Sequence, residues 1–167
     1  MPSPSRRAIV VPALVGIIAS ASLQQPSLPR SPSAVILAAE QAVASHRAAA
    51  VRQDWLARLR HDPSNRLARL GVASFARLAY DYAAADSFIA PLLTRPGGRP
   101  DSIAAWARIE AGLSAGQQWR IRDADSLFAL AASEGAMARD GSAEGGAMTR
   151  LALIRGRTQG VDAGLRL

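Results

Sequence analysis

The feature that most constrains the fold of this chain is an internal repeat with a period of 39 residues. Shifting the sequence against itself by 39 positions places LARL at 67–70 on WARI at 106–109. The same shift places Ala-Asp-Ser at 85–87 on the identical triplet at 124–126. A repeated unit of this length cannot bury its apolar surface alone, so successive units are expected to stack on one another.

Two further coincidences extend the repeat. The 39-residue shift places Tyr80 on Trp119. An additional shift of 42 residues makes Arg69, Arg108 and Arg150 equivalent positions, one in each unit. The three arginines are therefore expected to recur on one surface of the stack.

The residue content of the units is that of helices. Ala, Leu, Arg, Gln and Glu dominate the stretch from 33 to 59, which lacks Pro and Gly and predicts one long helix capped by Ser33. Five further helices are predicted at 64–79, 82–94, 102–115, 121–138 and 147–157. Between the helices, RPGGRP at 95–100 and DGSAEGG at 140–146 are predicted loops. No stretch shows the alternation of a strand, and all three tryptophans are expected in the core or between packed helices.

Motifs within the units resemble a known family. The pattern A-x-x-x-F occurs at 84–88, eight residues before Pro96, and again at 124–128, while Leu70-Gly71 lies in the first helix. These features resemble tetratricopeptide repeats. The resemblance implies an all-α fold, a short α-solenoid of antiparallel helix hairpins over roughly residues 55–167. It also implies a concave surface, formed by the first helices of the hairpins, that receives a peptide or a partner helix.

The N-terminal region predicts export. Residues 1–21 have the order of a signal peptide: two arginines, an uncharged apolar run at 8–19, and the small residues Ala-Ser-Ala. The run is shorter than the roughly 20 residues of a membrane-spanning helix, so a cleaved signal is favoured over a membrane anchor. Residues 22–33, with three prolines and four serines, predict a disordered linker. The helical repeat domain is then expected at 34–167, with its last repeat incomplete.

Groups that carry catalysis or bind metals do not converge in the sequence. Cysteine is absent, which excludes a cysteine-ligated metal, a disulfide framework and a catalytic thiol. His46 and His61 are too far apart for a helical metal pair, and they are interpreted as structural. No nucleophile-elbow motif occurs, and the glycines at 97–98 lack the lysine of a phosphate loop. We therefore expect no enzyme activity, no cofactor and no metal.

Basic charge is concentrated in the front half of the chain. The formal net charge is +7, and every basic residue is arginine. Residues 41–80 contain seven arginines and two aspartates, whereas 81–167 contain equal numbers of basic and acidic residues. A lysine-free, Ala-rich composition is typical of a GC-rich genome, so no specific nucleic-acid partner is predicted. The candidate basic face comprises Arg47, Arg52, Arg58, Arg60 and Arg66.

These features predict an exported helical-repeat scaffold, periplasmic or secreted, that binds a protein or peptide partner. The candidate contacts are Arg69, Arg108 and Arg150, which can clamp carboxylates bidentately and would favour an acidic partner. Salt bridges within the stack are the structural alternative for the same trio. Two other functions stay open: the non-catalytic N-terminal region of a longer exported enzyme or signalling protein, and a polyanion or membrane-surface binder using residues 41–80. Membrane contact is expected only through an uncleaved N-terminal segment or weak surface binding.

If residues 41–80 bind polyanions, the chain is expected to stay on a heparin column at moderate salt. Neutralising Arg58 and Arg60 should then abolish retention, because each lost phosphate or sulfate contact removes counterion release that favours binding. Elution of the wild-type chain at low salt would contradict the polyanion function.

Overall fold

The computed structural model describes residues 29–94, 98, 100–160 and 164, and within them the chain is all-α, without a β-strand. The predicted signal peptide, and the predicted linker up to residue 28, lie outside the described residues. None of the described helices is long and apolar enough to cross a bilayer. The helices are α1 (Pro32–Ala44), α2 (Ala48–His61), α3 (Arg66–Leu78), α4 (Tyr82–Leu93), α5 (Ser102–Gln117), α6 (Ile121–Ala138) and α7 (Gly141–Gln159).

The helices pack in overlapping groups of three. Each odd-numbered helix contacts the next odd-numbered helix, and the even-numbered helix between them contacts both. The groups are α1–α2–α3, α3–α4–α5 and α5–α6–α7, so α3 and α5 each belong to two groups. The helix α1 also contacts α5, the odd-numbered helix that follows α3.

Because α3 and α5 each belong to two groups of helices, they are buried on nearly every side. In α3, all residues from Leu70 to Arg77 are buried, and α5 is buried to a similar extent from Ala104 to Ala115. Neighbours can approach a helix from all sides only where its side chains are small, and alanine and glycine supply such positions here. The indole of Trp55 on α2 packs over Gly71, and the ring of Phe128 on α6 packs over Gly112.

The buried residues form two apolar clusters. The smaller joins α1, α2 and α3, where the ring centroids of Trp55 and Phe75 are 5.2 Å apart. The larger joins α3 to α7 and includes Ile36 from α1. The N-terminal helices are therefore continuous with the repeated part of the chain.

Four turns share one backbone geometry. A non-glycine residue with positive φ follows α1, α3, α5 and α6, and these residues are His46, Tyr80, Trp119 and Arg139. The next residue donates its backbone N–H to a carbonyl five residues earlier, as Asp81 does to Ala76 at 2.9 Å. This is the Schellman motif, which satisfies carbonyls that the end of a helix leaves free. Tyr80 and Trp119, which the 39-residue shift aligns, occupy the same position of this turn.

The predicted single helix at 33–59 is wrong. The helix α1 ends at Ala44, and α2 begins at Ala48. His46 reverses the chain between them with φ of 57°, although the turn contains neither glycine nor proline. The cap of α1 is Ser31 in place of Ser33, and its Oγ accepts a hydrogen bond from the N–H of Ala34.

The predicted loop at 140–146 is also wrong. Helix α7 begins at Gly141 and contains Gly145 and Gly146, because the Asp140 carboxylate caps it by accepting hydrogen bonds from Ser142 and Ala143. The other predicted helices are confirmed to within a few residues, and α6 has the predicted bounds.

The glycine beneath Trp55 provides a test of the packing. A Cβ at Gly71 would overlap Cζ3 and Cε3 of the indole, which is itself buried. Gly71→Ala is expected to lower the free energy of unfolding by about 1–3 kcal/mol through overpacking. Gly145→Ala on α7, where an added Cβ meets no atom within 4 Å, should raise it by about 0.5–1 kcal/mol. Urea denaturation measures both, and equal shifts would contradict the assigned contact.

Candidate functional site

Successive odd-numbered helices are joined through the aspartates that cap them. Asp101 caps α5, and its carboxylate pairs with Arg66 in the first turn of α3. Thirty-nine residues later, Asp140 caps α7 and accepts hydrogen bonds from Ser102 and Trp106 in the first two turns of α5. The starts of α3 and α5 therefore each hold the cap of the next odd-numbered helix.

The capping contacts change the ionisation of Asp140. Burial alone raises the pKa of this carboxyl, but hydrogen bonds from Ser102, Ser142, Ala143 and Trp106 stabilise the carboxylate more strongly. The net effect is a pKa below the ordinary range for aspartate. Asp140 is therefore a structural anion at neutral pH.

A buried ion pair joins α3 to α5. The Arg77 Nε lies 2.7 Å from the Glu110 Oε2, and Nη2 lies 3.4 Å from Oε1. The two residues are 4% and 0% exposed. Among the described residues the two charges compensate each other, so their role is to fix the position of one helix against the other.

The three arginines predicted to bind a partner do not share one environment. Arg69 donates to the carbonyl of Pro63, in the turn before its own helix, at 2.6 Å. The Arg108 Nε lies 2.7 Å from a Glu134 carboxylate oxygen on α6, a salt bridge within the stack. Arg150 donates to the carbonyl of Gly146 on its own helix and lines an open groove. The common register in sequence therefore does not give a common surface.

The candidate basic face is divided between paired and exposed arginines. Arg58 pairs with Asp54 one turn earlier on α2, and Arg66 is held by Asp101 and by the Leu92 carbonyl. The remaining members, Arg47, Arg52 and Arg60, are exposed on or beside α2. The polyanion function would therefore rest on three exposed guanidinium groups.

Other predicted groups are placed as follows. His46 lies in the turn after α1, and His61 is the last residue of α2. The described residues contain no cluster of three or more potential metal ligands. Trp55 and Trp106 are buried as predicted, but the prediction for Trp119 is wrong because its side chain is 86% exposed.

An open groove of about 500 Å³ lies between α5 and α7 and is here called the α5/α7 groove. Its apolar wall combines Leu113 of α5, Phe128 of α6 and Leu153 of α7, with Trp119 at the turn into α6. Gly112 and Gly116 on α5 supply surface without side chains. Arg150 and Arg157 of α7 contribute the positive charge, and the described lining residues include no carboxylate: they are Gly112, Leu113, Gly116, Gln117, Trp119, Ile121, Phe128, Arg150, Leu153, Ile154, Arg157 and Thr158.

The sequence carried one signal for this groove that was not recognised. The 39-residue shift that equates Tyr80 with Trp119 also places Arg77 on Gly116. In the earlier unit a buried arginine projects toward Glu110, and in the later unit the corresponding position has no side chain. A groove is thus left between α5 and α7.

No protein-family model, curated protein or solved structure matches the chain. The groove and the stacked helices are therefore the basis for inferring what the protein does.

The capping aspartate provides a test of the link between α5 and α7. Asp140→Asn is expected to lower the free energy of unfolding at pH 7 by about 1–2 kcal/mol, because the amide replaces a charged acceptor of several hydrogen bonds. A depressed pKa in the folded state means that this contribution is fully present above about pH 4 and is lost as the pH falls further.

Urea denaturation at pH 7 and pH 3 measures the effect, with Asp86→Asn on the exposed face of α4 as the matched control. The difference between the wild type and the Asp140 variant should be smaller at pH 3 than at pH 7, because the carboxyl is protonated as the pH falls. An equal difference at both values would contradict a stabilising role for the ionised carboxylate.

Proposed function

We propose that the helices form a short α-solenoid that acts as a protein-interaction scaffold. The proposal draws on the overlapping groups of three helices, on the turns that end at Tyr80 and Trp119, and on the recurrence of capping aspartates. Units that contact mainly their neighbours are typical of solenoids, whose common role is to present an extended binding surface. The resemblance of the sequence to tetratricopeptide repeats supports the same function.

The observation that carries this proposal is the exposure of large apolar side chains in a concave surface. Trp119 is 86% exposed and Leu153 is 57% exposed, and both line the α5/α7 groove. Tryptophan is enriched among the residues that dominate binding energy in protein interfaces. An apolar groove with convergent basic groups is the default candidate for a binding site.

Export to the periplasm or the exterior is part of this proposal and depends on the signal-like order of residues 1–21. The same groove would serve an interaction region at the front of a longer exported enzyme or signalling protein. The polyanion function has weaker support, since Arg58 and Arg66 are engaged in ion pairs.

Site-specific photocrosslinking in the native host tests the scaffold function. A photoreactive phenylalanine analogue replacing Leu153 in the groove is expected to capture a protein partner. The matched control replaces Leu130 on α6, which is 50% exposed and lies outside the groove. Adducts of the same size and yield at both positions, or adducts at neither, would count against the proposal.

A further inference from the structure

We infer that the α5/α7 groove receives an acidic amphipathic helix of a partner protein. This inference rests on the proposed scaffold function and specifies the chemistry of the partner. Three observations support it: α1 packs on the pair α3 and α5, the groove between α5 and α7 has a suitable shape, and the charge of this groove is positive.

The helix α1 shows that a pair of odd-numbered helices can bind a third, amphipathic helix. It contacts both α3 and α5, and its Ile36 belongs to the apolar cluster that these helices share. Its buried residues, Val35, Ile36, Ala39 and Ala42, lie on one face at helical spacing. An amphipathic helix that inserts anchors of this spacing into an apolar groove is a recurring mode of protein recognition.

The pair α5 and α7 has no such covering helix among the described elements. Of these elements, α7 packs mainly against α5 and α6, and both of them form walls of the groove. The lining residues of α7 extend from Arg150 to Thr158. At 1.5 Å per residue the groove is roughly 12 Å long, which matches two to three turns of a helix.

Glycine leaves room for this occupant. Arg77 fills the corresponding position between α3 and α5, where it pairs with Glu110. At Gly116 an added Cβ would meet only the Ala124 Cβ, at 3.9 Å. The floor beside α5 is therefore open to an incoming side chain, and the exposed Trp119 can pack along the incoming helix.

The charge of the groove selects the occupant. Arg150 and Arg157 line it on α7, separated by seven residues and therefore close to one face of that helix. With no carboxylate in the described lining, these guanidinium groups have no acidic partner within the groove. Glutamates flanking an apolar stripe would supply bidentate acceptors, whereas lysines at the same places would be repelled.

Two labelled peptides test the inference on the full chain. Both carry the apolar residues of α1 at their original spacing, and they differ only in having glutamate or lysine at four flanking positions. Fluorescence anisotropy is expected to show saturable binding of the glutamate peptide, at least about tenfold tighter than that of the lysine peptide. The emission of Trp119 should shift to the blue as its ring is covered.

Variants of the groove and a matched control complete the test. Arg150→Glu combined with Arg157→Glu is expected to reverse the preference between the peptides. Arg52→Glu combined with Arg60→Glu makes the same change of charge at exposed positions on α2, outside the groove, and it should preserve the preference. Leu153→Glu removes an apolar contact and should weaken both peptides. Circular dichroism melting confirms that each variant is folded.

Several outcomes would overturn the inference. Equal affinity for the two peptides, or unchanged affinity after reversal of Arg150 and Arg157, would exclude an acidic partner. A concentration-dependent dimer in light scattering that Leu153→Glu abolishes would assign the groove to a second copy of the chain. If crosslinking at position 153 captures a partner but the two peptides bind equally well, the proposed scaffold function stands and this inference fails. If there is neither capture nor peptide binding, both proposals fail.

Discussion

The buried ion pair between Arg77 and Glu110 is the interaction on which the arrangement of the other helices depends. Two charges in an apolar interior are tolerated only while they meet, so α3 and α5 can pack in only one axial position. All other helices contact at least one of these two, and α1 and α4 contact both. Breaking such a pair typically costs about 3–5 kcal/mol, a large part of the roughly 5–15 kcal/mol that keeps a domain folded. The ion pair thus sets the spacing to which the neighbouring helices conform.

Departures from exact repetition open the groove that we propose as a binding surface. The units share a turn geometry at Tyr80 and Trp119, and aspartates cap both α5 and α7. They differ where Arg77 is replaced by Gly116, and that difference changes a filled contact between two helices into an open groove. Trp119 shows the same division of roles, since its backbone belongs to the repeated turn while its side chain belongs to the groove. In the proposed function, the repeated features would form the scaffold and the substitution of single residues would form the site.

The helical class, most of the helices and the repeat followed from the sequence, because composition and periodicity are local properties. The turn at His46 did not, since left-handed backbone is associated with glycine and this turn has none. The start of α7 did not follow either, because it contains glycines, which are typical of loops. The helix is fixed there by the cap Asp140, which accepts a hydrogen bond from Trp106, 34 residues earlier. The α5/α7 groove and the pairing of Glu110 depend on which helices meet in space. The spacing of residues along the sequence does not show which helices come into contact in the folded chain.

The four turns with non-glycine residues at positive φ also bear on how the protein can evolve. Left-handed backbone costs an L-residue about 1–2 kcal/mol, and glycine avoids most of this strain at some cost in chain entropy. Each turn therefore holds an unused reserve of stability, up to about 1 kcal/mol, that replacement by glycine would release. Such a reserve allows the chain to accept destabilising changes elsewhere, for instance around a binding surface under selection for a new partner. The turns at His46, Tyr80 and Arg139, whose residues do not line the groove, would then act as sites of compensation.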